Sequence, residues 1–280
     1  MKMTRPLITL LTDFGSADHY VAAMKGVILG ICPEANIIDI SHEVNPYDMT
    51  GAAFTLAQAW KSFPPRTVHL VVVDPGVGSA RRPVVAEAGG HLFVGPDNGV
   101  FSMAFHRCGE YSVREITARE FFRQPVSRTF HGRDVFAPVT ARLATGVAIE
   151  AIGEVIEDWV RLPPWSPVQT GPDTWEGTIL KVDRFGNLIT SFESADWTQL
   201  GERAFEFSVG AARITGFAAS YAEGEAVELF VIAGSAGYLE ISASQNNAAE
   251  LTGMSSGSVV GLRLKQVVDT RVAKPHSTST

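Results

Sequence analysis

The sequence has none of the features that would place a protein in a membrane or on a polyanion. No apolar stretch is long enough to span a bilayer. The opening MKMTRPLITLLTDFG holds only a short apolar run, broken by Thr12 and Asp13, and lacks the small-residue cleavage pattern of a signal peptide. Basic residues are too few and too scattered to form a nucleic-acid-binding face: 23 Lys and Arg stand against 30 Asp and Glu, for a net charge of −7. Cysteine is limited to Cys32 and Cys108, far apart in apolar or mixed surroundings. That pattern points to buried free thiols rather than a disulfide or a metal site. Internal repeats are absent. These absences predict a soluble, cytoplasmic protein with no membrane or nucleic-acid partner, acting on a small molecule.

What is present is an ordinary globular composition, 45% hydrophobic and 19% charged over 280 residues. Residues 7–12, LITLLT, form an apolar run stopping at Asp13-Phe14-Gly15, as a buried strand does on entering a loop. Val21, Met24, Val27, Ile28 and Ile31 recur at helical spacing, and Pro33 closes the segment. A strand follows at 36–40, a helix at 50–63, and a third apolar strand at 68–73 ending in Asp74-Pro75-Gly76. Alternating strands and helices imply a parallel sheet. A hairpin is predicted from 83–87 and 91–94 around Gly89-Gly90, and a helix over 132–145 with Gly146 beyond its end. LPPWSPVQTGPD marks a change of character, and short strand-like runs separated by glycine turns follow it. The predicted fold class is α/β: an N-terminal α/β domain (1–165) with a mostly parallel central sheet, a linker (166–173), a C-terminal antiparallel β-barrel-like domain (174–270), and a frayed tail (271–280).

Four segments place polar residues or glycines at the edge of apolar runs: TDFGS, VDPGVGSARRP, FHGRDV and VDRFGNL. Asp13 and Asp74 both follow strands, where an open α/β sheet binds its ligands. The glycine-rich turn after Asp74 throws Arg81 back towards a strand end, and a guanidinium there would keep Asp74 ionised. His131 precedes a helix, whose N-terminus favours a neutral ring. Taken singly, each has an ordinary role. An Asp caps a turn, an Arg makes a surface ion pair, a His holds a hydrogen bond, and DRFGN is a good β-turn. These residues define a crevice with acid, base and guanidinium candidates, but no particular reaction.

In this order, LLTDFG, Asp39-Ile40-Ser41-His42, VVVDPGVGSARR, GPDNGVF, FHGRDVFAP, DRFGNLIT and GSAGYLEI resemble the S-adenosylmethionine hydroxide adenosyltransferase family, the hydrolase relatives of the fluorinases and chlorinases. The resemblance covers residues 6–266. It implies hydrolysis of S-adenosyl-L-methionine (SAM) to adenosine and methionine with no cofactor and no metal, by a homotrimer that binds substrate between neighbouring subunits. Asp74, Arg81 and His131 match the water-activating set. Asp13 matches the carboxylate on the ribose hydroxyls, and Tyr47 an aromatic on the nucleoside, where the fluorinases carry Trp. Asp183 and Asn187 match the pair holding the methionine ammonium and carboxylate, with Ser235 beside them. Tyr221 and Asn247-Ala248-Ala249 match the adenine-facing part. The short stretch from Gly78 to Gly95 leaves no room for the fluorinases' long loop and disfavours a halogenase. Two further functions compete with hydrolysis. One is that of a metal-dependent phosphoesterase using Asp13, Asp18, His19, His42, Asp97 and His131, which Arg81 argues against; the second is that of a non-catalytic SAM- or adenosine-binding protein.

Overall fold

The computed structural model describes residues 5–106, 108–226 and 228–265. The chain divides into two units, Met1–Pro164 and Trp165–Thr280. In the first, the apolar runs become β1 (Leu7–Thr12), β2 (Asn36–Ser41) and β3 (Val68–Val72), followed by β4 (Pro83–Ala88), β5 (His91–Pro96) and β6 (Tyr111–Glu115). They form one sheet in the order β2-β1-β3-β5-β4-β6. β2, β1, β3 and β5 are parallel, and β4 pairs antiparallel with both neighbours. The mostly parallel sheet expected from the alternating pattern is therefore present. Gly89 and Gly90, both at positive φ, make the tight β4–β5 turn.

Helices cover both faces, which is why every residue of β3, His69 included, is buried. Ile8, Leu10, Leu70 and Val72 pack against Met24 and Ile28 of α1 (Tyr20–Ile31) and against the last helix of the unit. Leu11, Val71 and Val73 point the other way, under Ala52 and Leu56 of α2 (Met49–Ala59) and Phe105 of α3 (Ser102–His106). Burying each such side chain is worth roughly 1.5–3 kcal/mol. The chain leaves β1 through α1 to β2 on one side, then returns through α2 to β3 on the other. The gap between the carboxyl ends of β1 and β3 is thus the switch point where such sheets bind ligands.

The segment expected as a regular helix over 132–145 is instead a π-helical turn, Gly132–Phe136, running into α4 (Ala137–Ala144). The Ala137 N–H bonds five residues back to Gly132. This wider turn carries Asp134 and Phe136 fully buried. Gly146, at φ 98°, follows the helix end as predicted.

The second unit contains β7 (Val168–Gly171), β8 (Thr174–Val182), β9 (Leu188–Glu193), β10 (Phe205–Val209), β11 (Ala212–Ile214), β12 (Phe217–Ala218), β13 (Leu229–Ala233), β14 (Tyr238–Ala243), α5 (Ala248–Thr252) and β15 (Val259–Leu264). The strand order is β11-β10-β15-β8-β9-β14-β13-β12, with β7 beside β8. All pairs are antiparallel except β12–β13. β11 also approaches β13 near the opposite end of the path, so the sheet curls into the barrel-like form expected. Phe192, Phe207, Ile241 and Leu262 fill its core. The segment 166–173 is not free linker: Val168–Gly171 is a strand, folded back on β8. None of its residues is buried, so no alternation of buried and exposed side chains signals it. The tail 271–280 lies outside the described residues.

Candidate active site

Asp74 follows the last residues of β3, and two successive turns send the chain back over it. Val77 N–H donates to the Asp74 carbonyl (3.2 Å), and Ser79 N–H to that of Gly76 (3.1 Å). Gly78 sits at φ 77°, where a side chain would be strained. A Cβ on Gly76 would lie 3.2 Å from Arg81 Cγ, so the arginine stem runs directly over that glycine. The Arg81 guanidinium thereby reaches both Asp74 oxygens, with Nε at 2.9 and 3.1 Å and its terminal amino group bonded to Oδ2. That terminal group also lies 3.0 Å from His131 Nδ1. Its flat face covers the Phe136 ring at 5.0 Å. The Arg81 and Asp74 side chains are only 9% and 4% exposed.

A guanidinium has donors only, so the Arg81 contact presents the lone pair of His131 Nδ1 to it and leaves the proton of a neutral ring on Nε2. Burial, and then the Arg81 charge, hold the imidazole below its usual 6.5, while the Asp74 and Asp134 charges pull the other way. Arg81 thus joins the three residues predicted as a set, touching both Asp74 and His131.

Asp13, directly after β1, accepts the backbone N–H of Tyr47 at 3.1 Å. Burial raises its carboxyl above the usual 3.8, and the neighbouring Asp74 charge adds to that. Tyr47 itself adopts φ 68° and is 72% exposed. Its main chain, not its ring, therefore meets Asp13. The Asp39–His42 stretch braces this loop: His42 Nδ1 contacts Thr12 Oγ1 at 2.9 Å, and Gly15 N–H donates to the His42 carbonyl at 2.8 Å. Beside it Phe14, Tyr20 and Phe130 form an aromatic cluster, with Tyr20 and Phe130 edge to face at 5.1 Å.

In the second unit the β8–β9 turn is built on Asp183. Its Oδ1 accepts N–H groups of Phe185 and Asn187 (both 2.9 Å), and its Oδ2 accepts the Asn187 side-chain amide (2.9 Å). Gly186, at φ 85°, lies against Asn247, and the Gly186 carbonyl accepts Ala249 N–H at 3.0 Å. Asn247 also caps α5. Asp183, Asn187, Asn247 and Ala249 therefore come together. Tyr221 donates to Glu240 at 2.9 Å, and burial and that carboxylate push its phenol up to about 12. Ser235 sits in the exposed β13–β14 turn, where the preceding Gly234 lies against the Glu240 carboxylate that Tyr221 contacts.

Sequence reasoning missed Phe14, Tyr20, Phe130, Phe136, Asp134 and Glu240. The aromatics look like core residues, and only Asp134 carried a signal, as the last residue of FHGRD. Among the described residues, no three His, Cys, Asp or Glu side chains are grouped to hold a metal ion. Of the phosphoesterase candidates, His42 is engaged by Thr12, and Asp97 by Arg82 and Val160 N–H.

The family described as the SAM hydroxide adenosyltransferase N-terminal domain matches residues 8–153, and its C-terminal domain matches 177–261. A Salinispora tropica protein named (R)-S-adenosyl-L-methionine hydrolase is 39% identical over 90% of this chain and 95% of its own. A fluorinase of Nocardia brasiliensis is more distant, 27% identical over 70% of this chain and 74% of its own. Among solved structures, an uncharacterised conserved protein from Thermotoga maritima has a TM-score of 0.83 at 36% identity, over 91% of this chain and 99% of that one.

Proposed function

The chain belongs to the SAM hydroxide adenosyltransferase family, and from that premise we propose that Asp74, Arg81 and His131 carry its reaction. That reaction is the hydrolysis of S-adenosyl-L-methionine to adenosine and L-methionine. The observation that supports the assignment is the Arg81 guanidinium shared between the Asp74 carboxylate and His131 Nδ1.

Water attacks C5′ in line with the departing sulfur, a C–O bond forms as the C–S bond breaks, and methionine leaves as a neutral thioether. The leaving group needs no proton, so the reaction needs no metal and no cofactor. The attacking water replaces the direct Arg81–Nδ1 contact: it accepts an N–H from the guanidinium and donates to the Nδ1 lone pair so freed. As its proton passes to Nδ1, Arg81 stabilises the growing hydroxide character, and Asp74 holds Arg81 in place. Positioning behind C5′ supplies much of the acceleration.

Asp13 takes the ribose hydroxyls, and the exposed Tyr47 ring covers the nucleoside. Asp183 and Asn187 hold the amino-acid end with Ser235 beside them, and Tyr221, Asn247 and Ala249 face the adenine. The assembly is a homotrimer with substrate bound between neighbouring subunits, working in the cytoplasm. The substrate's sulfonium has the (R) configuration, as in the relatives' name.

The test is product analysis after incubation with SAM, with and without chelator and halide. Adenosine and methionine in equal amounts, indifferent to both additions, are expected. Loss of turnover in chelator restores the phosphoesterase reading, and a 5′-halo product the halogenase one. Binding without turnover leaves a sensor. Asp74→Ala, Arg81→Ala and His131→Ala should each lower kcat by roughly 10²–10⁴-fold with little change in SAM affinity; near-full activity in all three sinks the assignment.

A further inference from the structure

We propose that Asp134 is a positioning residue for this reaction: its buried carboxylate ties the 123–130 loop to the π-turn carrying His131, and through that loop seats the turn carrying Asp74 and Arg81. The proposal rests on the hydrolase reading of the site.

Four donors converge on this one carboxylate. Oδ1 accepts Arg133 Nε at 2.7 Å and an Arg123 amino group at 3.2 Å. Oδ2 accepts Ser127 N–H and an Arg133 amino group, both at 2.9 Å. The main chain adds two more ties: the Asp134 carbonyl accepts Arg123 N–H at 2.8 Å, and Asp134 N–H donates to Phe130 at 3.2 Å. The side chain is 0% exposed. A charge this deep is costly unless every lone pair is used, and four donors match the capacity of a carboxylate. Closing the π-turn does not require it, because Ala137 N–H and the Gly132 carbonyl already do so.

The tied loop reaches across to the other half of the site. A Cβ on Gly78 would lie 2.3 Å from the Arg128 carbonyl, so the loop backbone rests directly on the turn that presents Arg81. Asp134 thus braces both sources of the catalytic set, at His131 from its own turn and at Asp74 and Arg81 through Arg128 and Gly78. It also acts on His131 by charge. The charged groups acting on that ring are Arg81 and Asp74 from the turn after β3 and Asp134 from its own turn, while α1 places the uncharged Met24 against Gly132. Asp134 favours the imidazolium that forms when water gives up its proton.

Asp134→Asn keeps the shape but removes the charge and turns an acceptor into a donor facing N–H groups. The expected result is a kcat loss of roughly 10–100-fold at nearly constant KM, since the residue touches no substrate. NMR titration of the His131 imidazole in the substrate-free protein should give a pKa below that of the parent, a change that mere loosening of the loop would not predict. Gly78→Ala, which pushes on the Arg128 carbonyl and leaves the charge in place, should lower kcat in the same way without moving the titration. It decides the positioning role if Asp134→Asn does not fold. A folded Asp134→Asn with parent kcat and parent His131 titration overturns the proposal, as does Gly78→Ala with parent kcat. The titration uses no SAM, so a parent protein that fails to hydrolyse SAM defeats the hydrolase reading while the His131 pKa still decides the charge coupling.

Discussion

Arg81 occupies the centre of the catalytic cluster, and its chemistry sets what its neighbours can do. Without an acceptor of its own, it donates to both Asp74 oxygens and turns the Nδ1 lone pair of His131 towards itself. Burial and the same guanidinium hold His131 below 6.5, so the ring is neutral at neutral pH and can take a proton once water replaces Arg81 at Nδ1. The active form is therefore the unprotonated one, and its folded value is depressed. kcat/KM should be flat around neutrality and fall only as pH drops through a midpoint below 6.5, with Asp13, raised above 3.8, losing its charge on the same acid side. A pH–rate profile whose acid limb lies above 6.5 contradicts a neutral His131 acting as the proton acceptor. Asp74, Arg81 and His131 were legible as residues because glycine turns and apolar runs frame them. Their mutual contact was not, since Arg81 and His131 lie 50 residues apart.

At the scale of elements, the π-turn Gly132–Phe136 does what a regular helix over 132–145 could not. The extra residue in its first turn buries Asp134 and Phe136 together, one against the arginines and the other beneath Arg81. Phe136→Leu keeps an apolar side chain in the core but removes the ring face under the guanidinium. We expect stability to fall by about 1–2 kcal/mol, read from denaturant unfolding, and kcat to fall more than KM rises. Parent kcat in this variant would show that the ring merely fills space. Helical spacing cannot distinguish an α from a π turn, because a single residue added within one turn barely disturbs the apolar pattern. The short strands β6, β7, β11 and β12 were missed for a related reason, being edge or near-edge pieces whose residues alternate weakly.

At the scale of the molecule, separate cores lie in the two units, one on either face of the first sheet and one inside the curled second sheet. Phe207 is fully buried in the second unit. Phe207→Ala should cost about 3–5 kcal/mol there. Hydrogen exchange should then rise in β8–β10 and β13–β15 while β1 and β3 stay protected; equal loss of protection in both units would mean that they unfold as one. The sequence by itself determined the element types, because unbroken apolar runs suit strands covered on both faces and periodic ones suit amphipathic helices. It also determined where turns must fall, because glycine and proline restrict the backbone locally. Only the tertiary structure decided what meets what: the strand order that brings the Asp74 charge to bear on Asp13, the Arg81 guanidinium shared between Asp74 and His131, and the convergence of four donors on Asp134. Those are contacts between distant parts of the chain, set by sheet pairing and burial, and no local pattern of residues encodes them.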